Sequence, residues 1–216
     1  MIIRTEDNTL KKISIIILIA LIFSTGSSSD VKMVDDLDKK IEITPNYIDL
    51  YQSFLDGKFH ADNQGEIISI NEVFLSNENY NRFTLFDSNG NGIPELHLSS
   101  MRAYLVIECQ DDSLIVVYSG SGYDNLLNNG AILYIREGGG PEHISYRYTK
   151  LGVDNKVTQV SFEKYNTQDD LVDDVYLYED KEVDKKEFDE KTRVYLTIGS
   201  DGINWLDYWQ YLIQKK

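Results

Sequence analysis

Cysteine and histidine are scarce in this chain, which has one cysteine and three histidines among 216 residues. A single cysteine, Cys109, cannot form an intramolecular disulfide, and its apolar neighbours Val106 and Ile107 predict a small buried residue in a strand. No histidine lies at metal-ligand spacing from another histidine or from the cysteine. These absences exclude a disulfide framework and a metal site built from thiolates and imidazoles.

Positive charge is also scarce, with 21 lysines and arginines against 36 aspartates and glutamates and a net charge of −15. A surface this acidic repels the phosphate backbone, so we expect no nucleic-acid partner. Cationic partners and divalent metals are the natural counterparts of such a chain. Gly120-Ser121-Gly122 lacks the flanks of a nucleophile elbow and the third glycine of a dinucleotide fingerprint.

Long hydrophobic runs are limited to one segment near the start of the chain. Lys11 and Lys12 precede an apolar run from Ile13 to Phe23, and small residues follow at 24–29. The run is shorter than the roughly 20 residues of a membrane span, and its flanks are those of a secretory signal. We therefore predict a signal peptide or N-terminal anchor at residues 1–29 and an extracellular or cell-surface location. Contact with a membrane is expected only through this segment if it stays uncleaved.

The rest of the chain is predicted to form one domain. Residues 30–43 are charged and weakly periodic, as is typical of a linker, and residues 44–216 have the length of one ordinary domain. Tyrosine occurs 15 times, and together with alternating Val, Ile and Leu it favours strands. We predict an α+β fold in which an antiparallel β-meander is packed by an N-terminal helix and C-terminal helices.

Start and stop signals predict the helices. Thr44-Pro45 and Asp56-Gly57 bound a helix over 45–56. Ser69 and Glu72 have the spacing of a capping box, although residues 67–70 fit a strand equally well. Two further helices are predicted near the end of the chain. Asp184 caps one, with Glu187 completing a capping box and Val183 packing against Phe188, and the other has its apolar face at 205, 206, 209, 212 and 213.

Short strands separated by turn residues are predicted between the helices. They lie near residues 83–86, 95–99, 103–109, 113–118, 131–136, 143–151, 157–165 and 175–178. Hairpin-length connections at 110–112, 138–141 and 152–155 join several of them. Sequential hairpins predict an antiparallel meander.

The connection between the first two of these strands carries the clearest chemical signature. Asp87, Asn89 and Asn91 place side-chain oxygens at alternate positions, Gly92 permits a sharp turn, and Glu95 adds a second carboxylate. Hard cations such as calcium prefer an oxygen shell of this kind. The alternative is an Asn-Gly hairpin whose polar side chains bond to their own backbone.

The pattern differs from the helix-loop-helix calcium loop, because position twelve is Leu98 rather than glutamate and the flanks alternate as strands do. It resembles the shortened D-x-[DN]-x-[DN]-G-x-x-[DE]-[LI] loops of calcium-binding hairpins in integrin-type propeller repeats. The resemblance implies five ligands, namely Asp87, Asn89, Asn91, the carbonyl of Ile93, and Glu95. Because only two of these carry a formal charge, we expect calcium affinity on the order of 10⁻⁴–10⁻³ M.

A broader resemblance covers most of residues 46–200. The order of Phe-Leu-Asp-Gly, Leu-Phe-Asp-Ser-Asn-Gly-Asn-Gly-Ile-Pro-Glu-Leu, Leu-Leu-Asn-Asn-Gly-Ala-Ile-Leu-Tyr and Gly-Gly-Gly-Pro-Glu-His is similar to uncharacterised exported proteins of Gram-positive bacteria. The resemblance implies export and a cation loop, and it implies no particular activity.

Two further groups of residues are candidates for function. Glu142 and His143 follow three glycines and represent either a catalytic or metal-binding pair or a surface hairpin. The C-terminal aromatic residues could stack against sugars or bind a partner, although helical spacing favours packing of both tryptophans in the core.

No catalytic constellation stands out, so we expect a non-enzymatic binding domain with a structural calcium loop and an unknown protein or carbohydrate partner. The alternatives are an exported hydrolase that uses Glu142 and His143, or an acidic immunity or inhibitor protein that shields a basic surface.

Overall fold

The computed structural model describes residues 47–74, 80–138, 143–154, 156–165 and 174–215, which belong to one compact unit beginning at Pro45. The predicted signal, the predicted linker and Glu142 lie outside the described residues. Among the described residues, the helices are α1 (Tyr47–Leu55), α2 (Ile70–Val73), α3 (Lys185–Leu196) and α4 (Tyr208–Gln214). The strands are β1 (Ala61–Asn63), β2 (Glu66–Ile68), β3 (Arg82–Phe86), β4 (Glu95–Ser99), β5 (Ala103–Gln110), β6 (Ser113–Ser121), β7 (Asp124–Leu126), β8 (Ile132–Glu137), β9 (Ile144–Leu151), β10 (Val157–Tyr165), β11 (Val175–Tyr178), β12 (Lys181–Val183) and β13 (Leu206–Asp207).

The prediction of a β-rich chain with mostly antiparallel strands is confirmed, but the prediction of a single meander is wrong. The strands form a seven-stranded sheet in the order β13-β3-β4-β5-β6-β1-β2 and a six-stranded sheet in the order β12-β11-β10-β9-β8-β7. The chain leaves the first sheet after β6 and starts the second at β7. β1 pairs with β6 in parallel, with Ala61 opposite Leu114. Hairpin signals identify neighbouring strands, but they do not say where a chain changes sheet.

The first sheet is covered by helices on one face and by the second sheet on the other. On the helix side, Tyr51 and Phe54 of α1 and Tyr208 of α4 pack with Leu96 and Ile107 of the sheet. On the opposite face, Tyr104 and Val106 pack with Leu126, Ile132 and Leu151 of the second sheet. Strand periodicity explains this arrangement, since successive side chains of one strand enter different cores.

Local signals account for the smaller helices. Residues 67–70, which fit a strand and a helix equally well by sequence, contain parts of both, because β2 ends at Ile68 and α2 begins at Ile70. Glu72 accepts hydrogen bonds from the backbone N–H (2.5 Å) and hydroxyl (2.8 Å) of Ser69. At α3, the Asp184 carboxylate accepts the N–H of Glu187 at 2.8 Å. Among the described residues, no helix is both long and apolar enough to cross a membrane.

The predicted apolar face of the last helix is correct only in part, since Leu212 packs against the core. Trp205 and Leu206 precede α4, and Leu206 belongs to the edge strand β13. The helix buries Tyr208, with Tyr211 packed against the same core, whereas Ile213 is 69% exposed. Asp207 determines which residues of α4 face the core, because its side chain accepts the N–H of Gln210 and the helix therefore starts at Tyr208.

Tyr51 joins the helix side of the fold to the sheet, and its hydroxyl is expected to contribute measurably to stability. The hydroxyl donates to the carbonyl of Pro94 at 3.2 Å and accepts the N–H of Cys109 at 3.1 Å. We expect Tyr51→Phe to lower the free energy of unfolding by about 1–3 kcal/mol, because it leaves buried backbone groups without a partner. Urea denaturation measures this change.

The matched control is Tyr47→Phe on the same helix, since Tyr47 is half-buried and contacts the ring of Tyr51. Equal losses in the two variants would contradict a specific role for the Tyr51 hydroxyl.

Candidate functional site

The predicted cation loop connects β3 to β4 at one end of the first sheet. The two strands pair directly, with Phe86 opposite Glu95, so the loop spans the short gap between neighbouring antiparallel strands. Gly92 has a φ of +87°, a conformation that side chains other than glycine rarely adopt. The sharp turn predicted at Gly92 is therefore present.

Side-chain oxygens of the loop bind its own backbone. Asp87 Oδ1 accepts the N–H groups of Gly90 (2.8 Å) and Asn91 (3.1 Å), and Asp87 Oδ2 accepts that of Gly92 (3.0 Å). Asn89 Oδ1 accepts the N–H of Asn91 at 2.9 Å, and Asn91 Oδ1 accepts that of Ile93 at 2.7 Å. This is the bonding expected of the Asn-Gly hairpin alternative. Asp87 Oδ2, Asn89 Oδ1 and Asn91 Oδ1 each accept a single N–H, so each keeps a second acceptor direction for a cation.

Glu95 differs from the other predicted ligands because it is completely buried. Its Oε2 accepts both the N–H and the hydroxyl of Ser88 at 2.7 Å, whereas its Oε1 is buried without a hydrogen-bond partner. Burial raises the pKa of Glu95, the two Ser88 hydrogen bonds oppose this change, and the nearby carboxylates of Asp87 and Glu108 add to it. An ionised Glu95 therefore lacks part of the compensation that a buried charge requires.

Glu108 in β5 also reaches the loop, although the sequence analysis did not identify it. It is 6% exposed, and its Oε1 accepts the side-chain amide of Asn91 at 3.3 Å. The available signal was a charged residue inside the otherwise apolar segment Tyr-Leu-Val-Ile-Glu-Cys. Its proximity to the loop depends on the pairing of β4 with β5.

Lys150 in β9 brings a positive charge to the same place. Its ammonium donates to the carbonyl of Ser88 at 3.1 Å and to the carbonyl of Asn129. Burial lowers the pKa of Lys150, and the carboxylates of Asp87 and Glu95 act in the opposite direction. The ammonium therefore offsets part of the negative charge around the loop.

The predicted metal ligands lie along one loop, and only two of them, Asp87 and Glu95, are acidic. Among the described residues, no group of three or more His, Cys, Asp or Glu side chains is arranged to hold a metal ion. The loop offers amide, carboxylate and carbonyl oxygens, and Glu95 offers an oxygen with no partner. This donor set fits a hard cation and provides no nucleophile.

Of the predicted pair Glu142 and His143, only His143 lies among the described residues, where it neighbours Ser145 and Glu163. Its Nε2 lies 3.3 Å from Ser145 Oγ and 3.6 Å from Glu163 Oε2, and Ser145 Oγ donates to Glu163 Oε1 at 3.2 Å. In a catalytic triad the serine and the carboxylate bind opposite nitrogens of the imidazole. Here both approach the same nitrogen and the hydroxyl proton points to the carboxylate, so this group gives no support to hydrolysis.

The two tryptophans have different surroundings. Trp205 is half-buried, packs against the core between the sheets, and contacts Tyr104 edge to face at a centroid distance of 6.4 Å. Trp209 is half-buried and lies 6.1 Å from the ring of Tyr208, with its indole N–H buried and unpartnered. Trp205 is therefore packed against the core on one side, as predicted, and its other side borders a surface cleft.

No protein-family model, curated protein sequence or solved structure matches this chain.

Proposed function

We propose that this protein is a secreted or surface-associated, non-enzymatic binding domain whose Asp87–Glu95 loop is stabilised by calcium. The proposed organisation is an export signal at 1–29, a linker at 30–43 and a single α+β domain at 44–216, whose two mostly antiparallel sheets are packed by an N-terminal helix and C-terminal helices. The resemblance to exported Gram-positive proteins supports the same location. The partner is a protein or a carbohydrate, since the net charge of −15 disfavours nucleic acid.

The observation that carries the calcium proposal is the buried carboxylate of Glu95. One of its oxygens has no partner, and two more carboxylates lie near enough to raise its pKa. A calcium ion would compensate this charge, using Asp87, Asn89, Asn91 and the carbonyl of Ile93 as further ligands. Its role would be to hold the β3–β4 connection in one conformation.

Calcium titration tests the proposal directly. At a concentration about ten times its dissociation constant, calcium should raise the free energy of unfolding by about 1.4 kcal/mol. For a domain of this size, the melting temperature should then rise by about 3–6 °C. Calorimetric titration and thermal unfolding of chelator-stripped protein measure both quantities. Absence of heat and of any melting shift at millimolar calcium would reject the site.

Asp87→Ala should abolish the calcium-induced shift, because it removes the first ligand. The matched control is Asp62→Ala, since the carboxylate of Asp62 also accepts a backbone N–H three residues ahead, from Gly65 at 2.7 Å. Both variants lose a turn hydrogen bond, but only Asp87→Ala should lose the calcium response. A full response in Asp87→Ala would mean that calcium binds elsewhere.

A further inference from the structure

A surface cleft of about 410 Å³ lies beside Trp205, at the edge of the first sheet where β13 pairs with β3. The residues that line it are Tyr80, Arg82, Ser99, Ser100, Met101, Gly122, Trp205 and Asp207. None of them belongs to the calcium loop. A volume of this order falls within the range of small-molecule sites.

Large apolar side chains stand exposed around this cleft. Tyr80 is 65% exposed and Met101 is 61% exposed, although both could be packed inside a protein. Exposed aromatic and apolar residues that cluster around a concave surface mark a binding site more often than residues scattered singly. Here they form the apolar walls of the cleft.

Polar groups of opposite charge are held in the same cleft. The guanidinium of Arg82 lies 4.5 Å from the ring centroid of Trp205, and its Nε donates to the hydroxyl of Ser99 at 3.5 Å. Asp207 lies opposite Arg82 in the pairing of β13 with β3. One cation and one anion make the lining close to neutral and give it both donors and acceptors.

The walls are held by a close backbone contact. A Cβ atom on Gly122 would lie 2.0 Å from the carbonyl oxygen of Met101 and 2.9 Å from that of Ser100. The turn after β6 therefore touches the turn before β5 without space for any side chain. A site built on such a contact is largely formed before a ligand arrives.

We infer that this cleft binds a neutral saccharide of one or two sugar rings. The C–H face of a sugar ring packs against an aromatic or apolar wall, and its hydroxyls pair with a carboxylate and a guanidinium at the rim. The negative charge of the chain disfavours anions, and the presence of both Arg82 and Asp207 leaves the cleft without a net charge that would select a cation. This inference rests on the proposed binding function and is independent of calcium.

Intrinsic fluorescence provides a specific test because the chain has only two tryptophans. In a full-length Trp209→Phe background, Trp205 is the single indole and reports on the cleft. The probes are cellobiose, maltose and diacetylchitobiose, with tetralysine as a basic peptide. We expect a saturable change in emission with at least one disaccharide and none with tetralysine.

Tyr80→Ala should weaken this binding about tenfold, since a good aromatic contact accounts for roughly that factor. Tyr123→Ala is the matched control, because Tyr123 is 55% exposed and does not line the cleft. Asp207→Asn should also weaken binding, and asparagine preserves the cap of α4. Circular dichroism checks that the variants are folded.

Absence of saturation with all three disaccharides would overturn the inference, as would binding of tetralysine alone or unchanged binding in Tyr80→Ala. Calcium titration of the same protein separates the two proposals. If no disaccharide binds but the calcium response is intact, only the sugar site is rejected. Saccharide binding without any calcium response rejects only the metal.

Discussion

Glu95→Gln is expected to raise the stability of the calcium-free protein at pH 7 and to remove its calcium response. The side chain is completely buried, and one of its oxygens has no partner. An amide of the same shape carries no charge and costs less to bury. The amide nitrogen then occupies the position that has no partner, so the gain comes from removing the buried charge, and we expect the free energy of unfolding to rise by about 1–3 kcal/mol.

The pH dependence of stability should change in the same variant. Because the pKa of Glu95 is raised in the folded protein, the folded state holds this proton more tightly than the unfolded state. The stability that this proton contributes is fully present below the ordinary value of 4.5. It is lost as the pH rises through the higher folded value. The calcium-free variant should lack this decline.

Thermal unfolding between acidic and neutral pH, with calcium and with chelator, measures both effects. Glu66→Gln is the control, because Glu66 is exposed in the edge strand β2. A calcium response that survives in Glu95→Gln would contradict the role of Glu95 as a ligand. Lower stability of the calcium-free variant at pH 7 would show that the Ser88 hydrogen bonds outweigh the cost of the buried charge.

Gly130→Ala is expected to destabilise the protein by about 2–4 kcal/mol, from backbone strain and crowding together. Gly130 has a φ of +78°, and a Cβ atom there would lie 2.7 Å from the Cα of Ser88 and 2.8 Å from its carbonyl oxygen. The change would displace Ser88, whose backbone binds both Glu95 and Lys150. Calcium affinity should therefore fall together with stability.

Gly65→Ala separates these two causes. Gly65 has a φ of +92° but has no atom within 4 Å of the added Cβ, so this variant carries only the backbone strain of about 1–2 kcal/mol. Urea denaturation of both variants gives the difference. Equal losses would contradict the close packing of Gly130 on the calcium loop.

Lys150 compensates only part of the negative charge around the Asp87–Glu95 loop. Lys150 binds two backbone carbonyls beside the loop, but its charge does not prevent the pKa of Glu95 from rising. The side-chain amide of Asn91 donates a hydrogen bond to Glu108 but brings no charge to neutralise that carboxylate. A divalent cation would supply the charge that one partly buried ammonium leaves uncompensated.

Local sequence patterns determined most of the individual elements in the described residues. Alternating apolar residues placed β4 and β10 correctly at 95–99 and 157–165, because successive side chains of a strand point to opposite faces of the sheet. The Asp184 cap was likewise predictable, because it depends on residues three apart. The oxygens of the cation loop were recognisable because they lie within nine residues.

Only the tertiary structure decided how these elements meet. No local pattern predicts the split into two sheets. The contact of Glu108 with Asn91 joins residues 17 positions apart, and that of Lys150 with Ser88 joins residues 62 positions apart. The cleft beside Trp205 likewise combines residues of β3, β13 and two turns. Local periodicity specifies which side of a strand is apolar, and many pairings satisfy it equally well. Packing of the whole chain selects one pairing, because only that pairing buries the apolar faces together.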